Sequence, residues 1–221
     1  MIEQDIFKKL DVLKDLKKDG YKLKYYPHLQ DIKEVVLIAV KQNCRALQFT
    51  SEELRNDKEV VLEAVRRNVL ALEYASDELK ANKEFILETI KEDSLAFYYA
   101  SDKLKKDKEV VLEVVKRNGR ALEFASEELR ANKEVVIEAV RQFCWALQFA
   151  SHKLLDDKEI MTEAIKKSPG IFLYASDKLR NDKEFMLEAI KIDWICLDYI
   201  SDELKNDKEF MSDVAKIICF K

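Results

Sequence analysis

The chain has 221 residues, but only 3 Gly and 2 Pro, so most all-β folds, which need many turns, are excluded. Three isolated glycines also cannot form the glycine-rich loops that hold dinucleotides or nucleoside triphosphates. Hydrophobic residues make up 48% and charged residues 37%, which is typical of a helical protein rather than a disordered one. The net charge of −4 is spread along the chain, so we expect no nucleic-acid partner.

The sequence repeats itself every 25 residues from near its beginning to its end. A Ser column is followed three residues later by a Leu column, and an aromatic residue stands two positions before each Ser. The most regular column is a Lys-Glu pair, which begins at Lys33, Lys58, Lys83, Lys108, Lys133, Lys158, Lys183 and Lys208. The repeat is therefore the main structural signal in this chain.

One repeat predicts two short helices and a further turn. Asp57 is a typical N-cap residue, and apolar residues at helical spacing predict a first helix over about 58–67. A second short apolar helix follows over about 71–75, and Ser76 caps one more tight turn. Asn82 then caps the first helix of the next repeat.

Helices of about ten residues are marginal alone, and one repeat cannot bury both of its apolar faces. Stacking of neighbouring repeats predicts an all-α fold, an α-solenoid of 25-residue two-helix repeats, with a right-handed superhelix as the expected hand. We expect one solenoid domain over 1–221. It would comprise a degenerate N-terminal capping repeat over 1–30, seven repeats over 31–206 and a C-terminal half-repeat over 207–221.

The recurring polar columns have a structural and a functional interpretation. The Lys-Glu column could be a ladder of ligand-binding groups, but Glu in a first turn favours the helix dipole while Lys solvates the surface. The Ser column could be a row of nucleophiles, but no His or Asp recurs beside it to activate a hydroxyl. His152 follows Ser151, yet adjacent residues in a turn rarely face each other. We therefore expect helix caps and surface charge, and no catalytic residues.

Departures from the repeat consensus are more informative about binding. Phe143 and Trp145 in the fifth repeat, and Ile192 and Trp194 in the seventh, are apolar residues on an edge that elsewhere carries Arg and Asn. Leu155 replaces a Lys or Arg. Because Trp is enriched at binding hot spots, these five residues are candidate partner-binding residues. The alternative is that the rings fold over the next layer of the stack.

The remaining features argue against metals, cofactors and membranes. The four cysteines have no metal-ligand spacing, so we expect neither a metal site nor a cofactor site. The N-terminal segment lacks a secretory signal and no apolar run could span a bilayer, so we expect a cytoplasmic chain with no membrane partner, although secretion without a signal peptide stays open. The apolar end Ile217–Phe220 could dock onto the stack or form a homo-oligomer.

The phrases A-L-E-[FY]-A-S-[DE]-E-L-[KR] and D-K-E-V-V-L-E-A-V resemble the family catalogued as domain of unknown function 4116, over about residues 30–215. The resemblance implies tandem helical repeats counted in pairs, in bacteria and protists, including some candidate secreted effectors. It implies protein binding and brings no activity, cofactor or catalytic residue.

The leading functional hypothesis is a non-catalytic helical-repeat scaffold that binds an unidentified protein partner. One alternative is a structural protein that assembles through its C-terminal end, and another is a module of a larger secreted effector. An enzyme is the third class, for which the sequence shows no clustered nucleophile, base or metal-ligand set.

Overall fold

The computed structural model describes residues 11–219, and in this part of the chain the regular elements are all helical. One long helix begins at each Lys of the Lys-Glu column. These helices are α1 (Lys33–Gln42), α2 (Lys58–Arg67), α3 (Lys83–Glu92), α4 (Lys108–Arg117), α5 (Lys133–Gln142), α6 (Lys158–Lys167), α7 (Lys183–Ile192) and α8 (Lys208–Cys219). The prediction for the first helix of the repeat is thus confirmed.

Polar residues lie at both ends of most long helices, the exceptions being α1, which follows Ile32, and α5, which is followed by Phe143. At the start of α2, the Asp57 carboxylate accepts hydrogen bonds from the backbone N–H groups of Glu59 and Val60, at 3.0 and 3.1 Å. At its end, Asn68 adopts an extended conformation with φ −164°, which stops the helical path. The side chain of Asn68 then accepts a hydrogen bond from the backbone N–H of Leu70 at 2.9 Å.

A six-residue 3₁₀-helix follows each of the first seven long helices. These 3₁₀-helices are Cys44–Phe49, Val69–Tyr74, Ser94–Tyr99, Gly119–Phe124, Cys144–Phe149, Pro169–Tyr174 and Trp194–Tyr199. The predicted second helix is therefore a 3₁₀-helix, and it begins at Val69 rather than near Ala71. The cause is local. The Asn68 side chain accepts a hydrogen bond from the backbone N–H of Leu70, two residues later, and this favours a tight 3₁₀ turn directly after α2.

A short connecting helix completes each repeat. The connecting helices are Glu52–Arg55, Asp77–Lys80, Asp102–Lys105, Glu127–Arg130, His152–Leu154, Asp177–Arg180 and Asp202–Asn206, and His152–Leu154 alone among these seven is a 3₁₀-helix. In the second repeat the Ser76 hydroxyl accepts a hydrogen bond from the N–H of Leu79 at 3.1 Å. The predicted Ser cap is confirmed there, and Leu79 points into the core with 3% of its surface exposed.

The core lies between successive long helices and the 3₁₀-helices beside them. In α2, Val60, Val61, Ala64 and Val65 are all buried, as the helical spacing predicts. Burying a Val side chain contributes about 1.5–3 kcal/mol. Within a unit, α1 lies against α2 and α4 against α5. Within each unit, successive repeats thus bury their apolar faces against one another, as expected for stacked repeats.

Backbone hydrogen bonds also join successive repeats. The N–H of the Ser before a connecting helix donates to the carbonyl at the end of the preceding connecting helix, as from Ser76 to Arg55 at 2.9 Å. The same bond joins Ser51 to Gln30, Ser101 to Lys80, Ser126 to Lys105, Ser151 to Arg130 and Ser201 to Arg180. The repeats are therefore linked by main-chain bonds that do not depend on side-chain identity.

The chain forms two compact units, Met1–Leu104 and Lys105–Lys221. In the first unit, a helix over 11–18 and a 3₁₀-helix, Gly20–Tyr25, precede α1. Gly20 lies so close to α1 that a Cβ atom there would be 1.9 Å from the carbonyl oxygen of Ala39. The single-domain division and the superhelix hand stay predictions, and residues 1–10 of the predicted cap lie outside the described residues, as do residues 220–221.

Candidate functional site

The 3₁₀-helices of each unit lie side by side and form one continuous edge. In the second unit, Cys144–Phe149 contacts Pro169–Tyr174, which in turn contacts Trp194–Tyr199. The third residue of each of these seven 3₁₀-helices is buried, and so is the fourth in all but Trp194–Tyr199, as Ala146 and Leu147 show. The second and fifth residues are exposed or half-buried, whereas the first varies, since Val69, Gly119 and Cys144 are buried and Trp194 is exposed. The surface residues of the 3₁₀-helices, together with the ends of the long helices, form what we call the 3₁₀ edge of a unit.

Three of the five predicted binding residues are exposed on the 3₁₀ edge of the second unit. Trp194 has 62% of its surface exposed, Ile192 has 37% and Phe143 has 36%. Phe143 occupies the position where other repeats have a polar cap, and its side chain makes no capping bond to the 3₁₀-helix. Asp193, by contrast, still caps the next 3₁₀-helix through the N–H of Ile195 at 2.9 Å. The edge thus presents exposed apolar side chains, although the 3₁₀-helices that carry them have the same form as in the other repeats.

The other two predicted residues are partly covered. Trp145 is half-buried, and its ring meets that of Tyr174 edge to face, with centroids 6.2 Å apart and an interplanar angle of 83°. Its ring therefore packs over the adjacent repeat, which was the alternative interpretation of these departures. Leu155 is also half-buried and lies at the end of the His152–Leu154 helix, not in one of the 3₁₀-helices of the edge. The structure places Phe143, Ile192 and Trp194 on the same edge, with the 3₁₀-helix Pro169–Tyr174 between the first and the other two, and it places Leu155 on a different element.

The sequence analysis missed several exposed apolar residues on the same edges. In the first unit these are Leu70, Leu95 and Tyr98, which are 51%, 50% and 53% exposed, and in the second unit Leu173, which is 48% exposed. Leu70 and Leu95 share the register of Arg45 and Arg120, and this alternation was the signal that could have identified them. Exposed apolar residues therefore occur on the 3₁₀ edges of both units.

A polar cleft lies between a connecting helix and the next repeat, and it occurs at equivalent places in the two units. The first has a volume of about 360 Å³ and is lined by Arg55, Tyr74, Ser76 and Glu78, among others. The second has about 370 Å³, with Arg130 among the residues lining it. In both Arg55 and Arg130 the Nε atom is buried, with no hydrogen-bond partner among the described residues. The two clefts are thus formed by the same recurring positions of the repeat.

The Ser column acts mainly as a set of helix caps. The hydroxyls of Ser51, Ser126, Ser176 and Ser201 each accept the N–H of the residue three positions later, as that of Ser76 does. Ser151 makes no such bond. Its neighbour His152 is exposed, and the two lie at the start of a 3₁₀-helix.

The lysines of the Lys-Glu column form ion pairs that were not predicted. Lys33 bridges to both Asp57 and Glu59 of the next repeat at 2.8 Å, and Lys133 makes the same two contacts with Asp157 and Glu159. These lysines lie at the surface as predicted, with 37% and 47% of their side chains exposed, but their bridges to the next repeat were not predicted. Each of the two pairs with an acid at the N-cap of the next long helix, because stacking brings that residue alongside. Lys158 and Lys183 pair likewise with Asp182 and Asp207.

These ion pairs are surface features with modest energies. The Lys158 ammonium and the backbone N–H of Phe185 hold the pKa of Asp182 below its usual value. The two carboxylates beside Lys33 raise the pKa of that ammonium above its usual value. Exposed pairs of this kind typically contribute about 0–1 kcal/mol. They join neighbouring repeats along the stack.

The cysteines are free thiols in varied surroundings. Burial raises the pKa of the Cys144 thiol, and burial raises that of Cys196 to about 11. Both thiols are therefore protonated near neutral pH. Over residues 11–219, no group of three His, Cys, Asp or Glu side chains is placed to hold a metal ion.

The family model for a domain of unknown function, DUF4116, matches the chain five times, at residues 32–80, 82–130, 132–180, 157–204 and 182–217. The chain belongs to the DUF4116 family. Each full match spans two of the 25-residue repeats, so the DUF4116 unit is a pair of long helices with their 3₁₀ and connecting helices. The resemblance inferred from the repeated phrases is confirmed.

Comparisons with curated proteins and with solved structures gave no match to this chain. Among the described helices, none has the length and apolar character needed to cross a bilayer.

Proposed function

We propose that the chain is a non-catalytic helical-repeat scaffold that binds a protein partner through the 3₁₀ edge of its second unit. The observation that carries this proposal is the exposure of Trp194, 62% of whose surface is accessible. Large aromatic side chains at the centre of an interface contribute disproportionately to binding energy. An exposed Trp beside two further apolar side chains is a suitable anchor for such an interface.

The surroundings of Trp194 support a protein partner in particular. Ile192 precedes it by two residues and is 37% exposed, and Leu173 on the adjoining 3₁₀-helix is 48% exposed. Charged residues flank this apolar group, since Lys191 lies next to Ile192 and pairs with Glu188 at 2.7 Å. An apolar centre with a charged rim is the usual composition of a protein interface. The partner would insert one or more apolar side chains between these residues.

A non-catalytic role is supported by what the recurring polar side chains do. The Ser hydroxyls cap helices, as in Ser76 with Leu79, and the column lysines bridge repeats, as in Lys33 with Asp57. The buried thiol of Cys196, whose pKa burial raises to about 11, is a poor nucleophile near neutral pH. These groups contribute to the stack, which leaves the exposed Trp194 as the candidate for binding a partner.

The test compares proteins captured from host extract by the wild-type chain and by Trp194→Glu. We expect at least one captured protein to be lost with Trp194→Glu, because a charge at the anchor disrupts its desolvated contact. Leu70→Glu is the matched control, since Leu70 is 51% exposed on the 3₁₀ edge of the first unit. It should leave that protein bound. Equal capture by wild type and Trp194→Glu contradicts the proposal.

A quantitative arm uses the captured protein itself. Its affinity for wild type and for both variants is measured by calorimetry, and circular dichroism verifies that each variant folds. Trp194→Glu should weaken binding by about tenfold to a thousandfold, corresponding to about 1.4–4 kcal/mol. Trp145→Ala is a less informative variant, because Trp145 packs against Tyr174 and its loss also removes a structural contact.

A further inference from the structure

The two polar clefts have nearly the same volume, but the side chains that line them differ in charge. The cleft of the first unit, which we call the first cleft, is lined by Asp77, Glu78 and Arg55 among others, and its acids outnumber its bases. Its polar groups also bond to one another, because the Asn56 amide donates to Glu78 at 2.8 Å and its carbonyl accepts from the Ser76 hydroxyl at 2.6 Å. The first cleft is therefore acidic, and several of its polar groups already have partners.

The cleft of the second unit, which we call the second cleft, is lined mainly by side chains that can donate hydrogen bonds. These side chains are Arg130, Gln148, Ser151, His152 and Lys153. His152 and Lys153 occupy the positions that Asp77 and Glu78 have in the first cleft. Among the residues that line the second cleft, Glu127 is the one acid, and the bases outnumber it. The exchange of acids for bases at two positions thus makes the second cleft basic.

Two donors of the second cleft, Arg130 and Ser151, have no acceptor within the part of the chain that the structure describes. The Arg130 guanidinium makes no hydrogen bond or ion pair there, and its Nε atom is buried. The Ser151 hydroxyl makes no capping bond, and Ala131 stands where Asn56 accepts from the Ser of the second repeat. Donors that are removed from water need acceptors, so a ligand with acceptor atoms would be stabilised in this cleft.

The cations at the ends of two other connecting helices already have acceptors. Lys80 donates a hydrogen bond to the backbone carbonyl of Glu73 at 3.0 Å. Arg180 donates one to the carbonyl of Leu173 at 2.8 Å. Arg130 ends its connecting helix at the same position of the repeat, yet its side chain makes no such bond within residues 11–219. The N–H donors of Arg130 are thus available to a ligand in the second cleft.

We propose that the second cleft binds a phosphate monoester. The Arg130 guanidinium has parallel N–H donors that match two phosphate oxygens, the Lys153 ammonium adds a second positive charge, and the Ser151 hydroxyl adds a further donor. The volume of about 370 Å³ leaves room for the organic group of the ester, and the half-buried ring of Phe149 lines the same cleft. The first cleft, in which Arg55 lies among several acids, should repel this ligand.

The first test measures the binding of phenyl phosphate to the full chain by isothermal titration calorimetry. Wild type should bind this ester, and Arg130→Gln and Lys153→Glu should each weaken binding at least about tenfold, because each removes a positive charge beside the phosphate. Arg55→Gln is the matched control, since it makes the same change in the first cleft, and it should bind as wild type does. Lys178→Glu controls for net charge, because Lys178 is exposed at the position equivalent to Lys153 and lines neither cleft. Circular dichroism verifies that each variant folds.

The same experiment gives the results that would overturn the proposal. A wild-type chain that binds no phenyl phosphate is one, and binding that Arg130→Gln and Lys153→Glu leave unchanged, or that Arg55→Gln weakens as much, is another. Phenol has the ring without the charge, so equal binding of phenol would show that the phosphate is not recognised. Nuclear magnetic resonance should find the largest ligand-induced shifts in the amide signals of residues 148–153, and larger shifts elsewhere reject this cleft as the site.

The second test identifies the source of the phosphate. A short peptide with one phosphoserine represents a phosphorylated protein, and glycerol phosphate represents a small metabolite. Tighter binding of the phosphopeptide assigns the second cleft to a phosphorylated protein segment, and tighter binding of glycerol phosphate assigns it to a metabolite. An unphosphorylated peptide that binds as well as the phosphopeptide contradicts the proposal. Trp194→Glu should leave phosphate binding unchanged, because Trp194 does not line this cleft, and this separates the inference from the proposed function.

Discussion

The second and fifth repeats carry the same connecting segment in two conformations. In the second repeat, Asp77–Lys80 is an α-helix whose first turn is capped by the Ser76 hydroxyl. In the fifth, His152–Leu154 is a 3₁₀-helix, and Ser151 makes no side-chain cap. The two repeats have the same spacing from the Ser to the column Leu and to the next N-cap, so the difference must come from the other residues of the segment.

Charge at the two ends of the helix accounts for the difference. Asp77 and Glu78 place two acids in the positive first turn, where they stabilise an α-helix, whereas His152 and Lys153 place bases there. At the last position Lys80 donates to the backbone carbonyl of Glu73 at 3.0 Å. Leu155, which occupies the equivalent position in the fifth repeat, has an apolar side chain and cannot donate this hydrogen bond. The fifth repeat thus lacks both the acids of the first turn and the cation at the end of the helix.

The connecting helix Asp177–Arg180 shows which of these terminal charges the α-helical form requires. It has an acid in its first position only, followed by Lys178, and it remains an α-helix capped by Ser176. Arg180 at its end donates to the carbonyl of Leu173 at 2.8 Å. One acid at the start and one cation at the end are thus sufficient for the α-helical form.

The change in conformation loosens the fifth repeat. The N–H of Ser101 donates to the carbonyl of Lys80 at 2.9 Å, but the described chain shows no equivalent bond from Ser176 to Leu155. Leu79 is 3% exposed, while Leu154 is only half-buried. The stack therefore tolerates a connecting helix that is 3₁₀ and lacks its Ser cap, because the long helices on either side keep their own contacts.

The two repeats should differ most in the stability lost when the recurring Leu, Leu79 or Leu154, is replaced by Ala. Leu79→Ala removes a buried side chain and should lower the free energy of unfolding by about 2–4 kcal/mol, through lost burial and the cavity left behind. Leu154→Ala should cost about 1 kcal/mol or less, because that side chain is already partly solvated. Urea unfolding followed by circular dichroism gives both values. Equal losses would show that Leu154 is packed as tightly as Leu79.

A smaller difference is expected from the Ser caps. The Ser76 hydroxyl accepts from the N–H of Leu79 at 3.1 Å and donates to the Asn56 side chain at 2.6 Å. Ser76→Ala should therefore destabilise the chain by about 1 kcal/mol. Ser151→Ala removes no capping bond and should change the free energy of unfolding by less than about 0.5 kcal/mol.

The control for this comparison is Ser201→Ala. Ser201 caps Leu204 at 3.1 Å and donates to Asn181 at 2.6 Å, so it repeats the bonding of Ser76. It should lose as much stability as Ser76→Ala in the same urea experiment. If Ser151→Ala were as costly as these two, the hydroxyl of Ser151 would have a role that its local bonding does not show.

The period and polar caps of the repeat predicted most of the fold, because they are local. Asp57, Ser76 and Asn82 each define a helix start through a bond within three residues. The 3₁₀ form of the second helix was not predicted, since apolar spacing over six residues does not distinguish 3₁₀ from α. Inter-repeat bonds such as Lys33 to Asp57 were missed because they depend on the stacking distance.

The candidate edge was predicted less well than the fold. Trp194 and Trp145 occupy the first and second positions of their 3₁₀-helices, one residue apart in register. Trp194 is exposed although the equivalent Val69 and Cys144 are buried, whereas Trp145 lies against Tyr174 of the next repeat. A departure from consensus identifies an unusual residue, but whether its side chain is covered depends on packing between repeats, which the repeat pattern does not show.

The smallest predicted difference concerns the long helix that follows each segment. After the fifth repeat, the N-cap residue of α6 is Asp157, whose carboxylate pairs with Lys133. After the second repeat, the equivalent N-cap residue of α3 is the uncharged Asn82. Burial alone would raise the pKa of Asp157, but the Lys133 ammonium and the N–H groups of Ile160 and Glu159 outweigh it and hold that pKa below its usual value. Asp157→Asn should thus destabilise the chain at pH 7, by less than about 1 kcal/mol because the pair is partly exposed.

The pH dependence gives this prediction its sign. A carboxyl whose pKa is lowered by folding stabilises the folded chain above its unfolded pKa, near 3.8, and loses that contribution as the pH falls through the folded value. The stability difference between wild type and Asp157→Asn should accordingly be present at pH 7 and shrink towards zero as the pH falls below 3.8. Asn82→Asp is the reciprocal variant, because it offers Lys58 the carboxylate that Lys133 already has, and it should gain stability at pH 7 and lose the gain over the same range. A difference for Asp157→Asn that stays constant with pH would mean that its cap geometry, rather than its charge, links the fifth and sixth repeats.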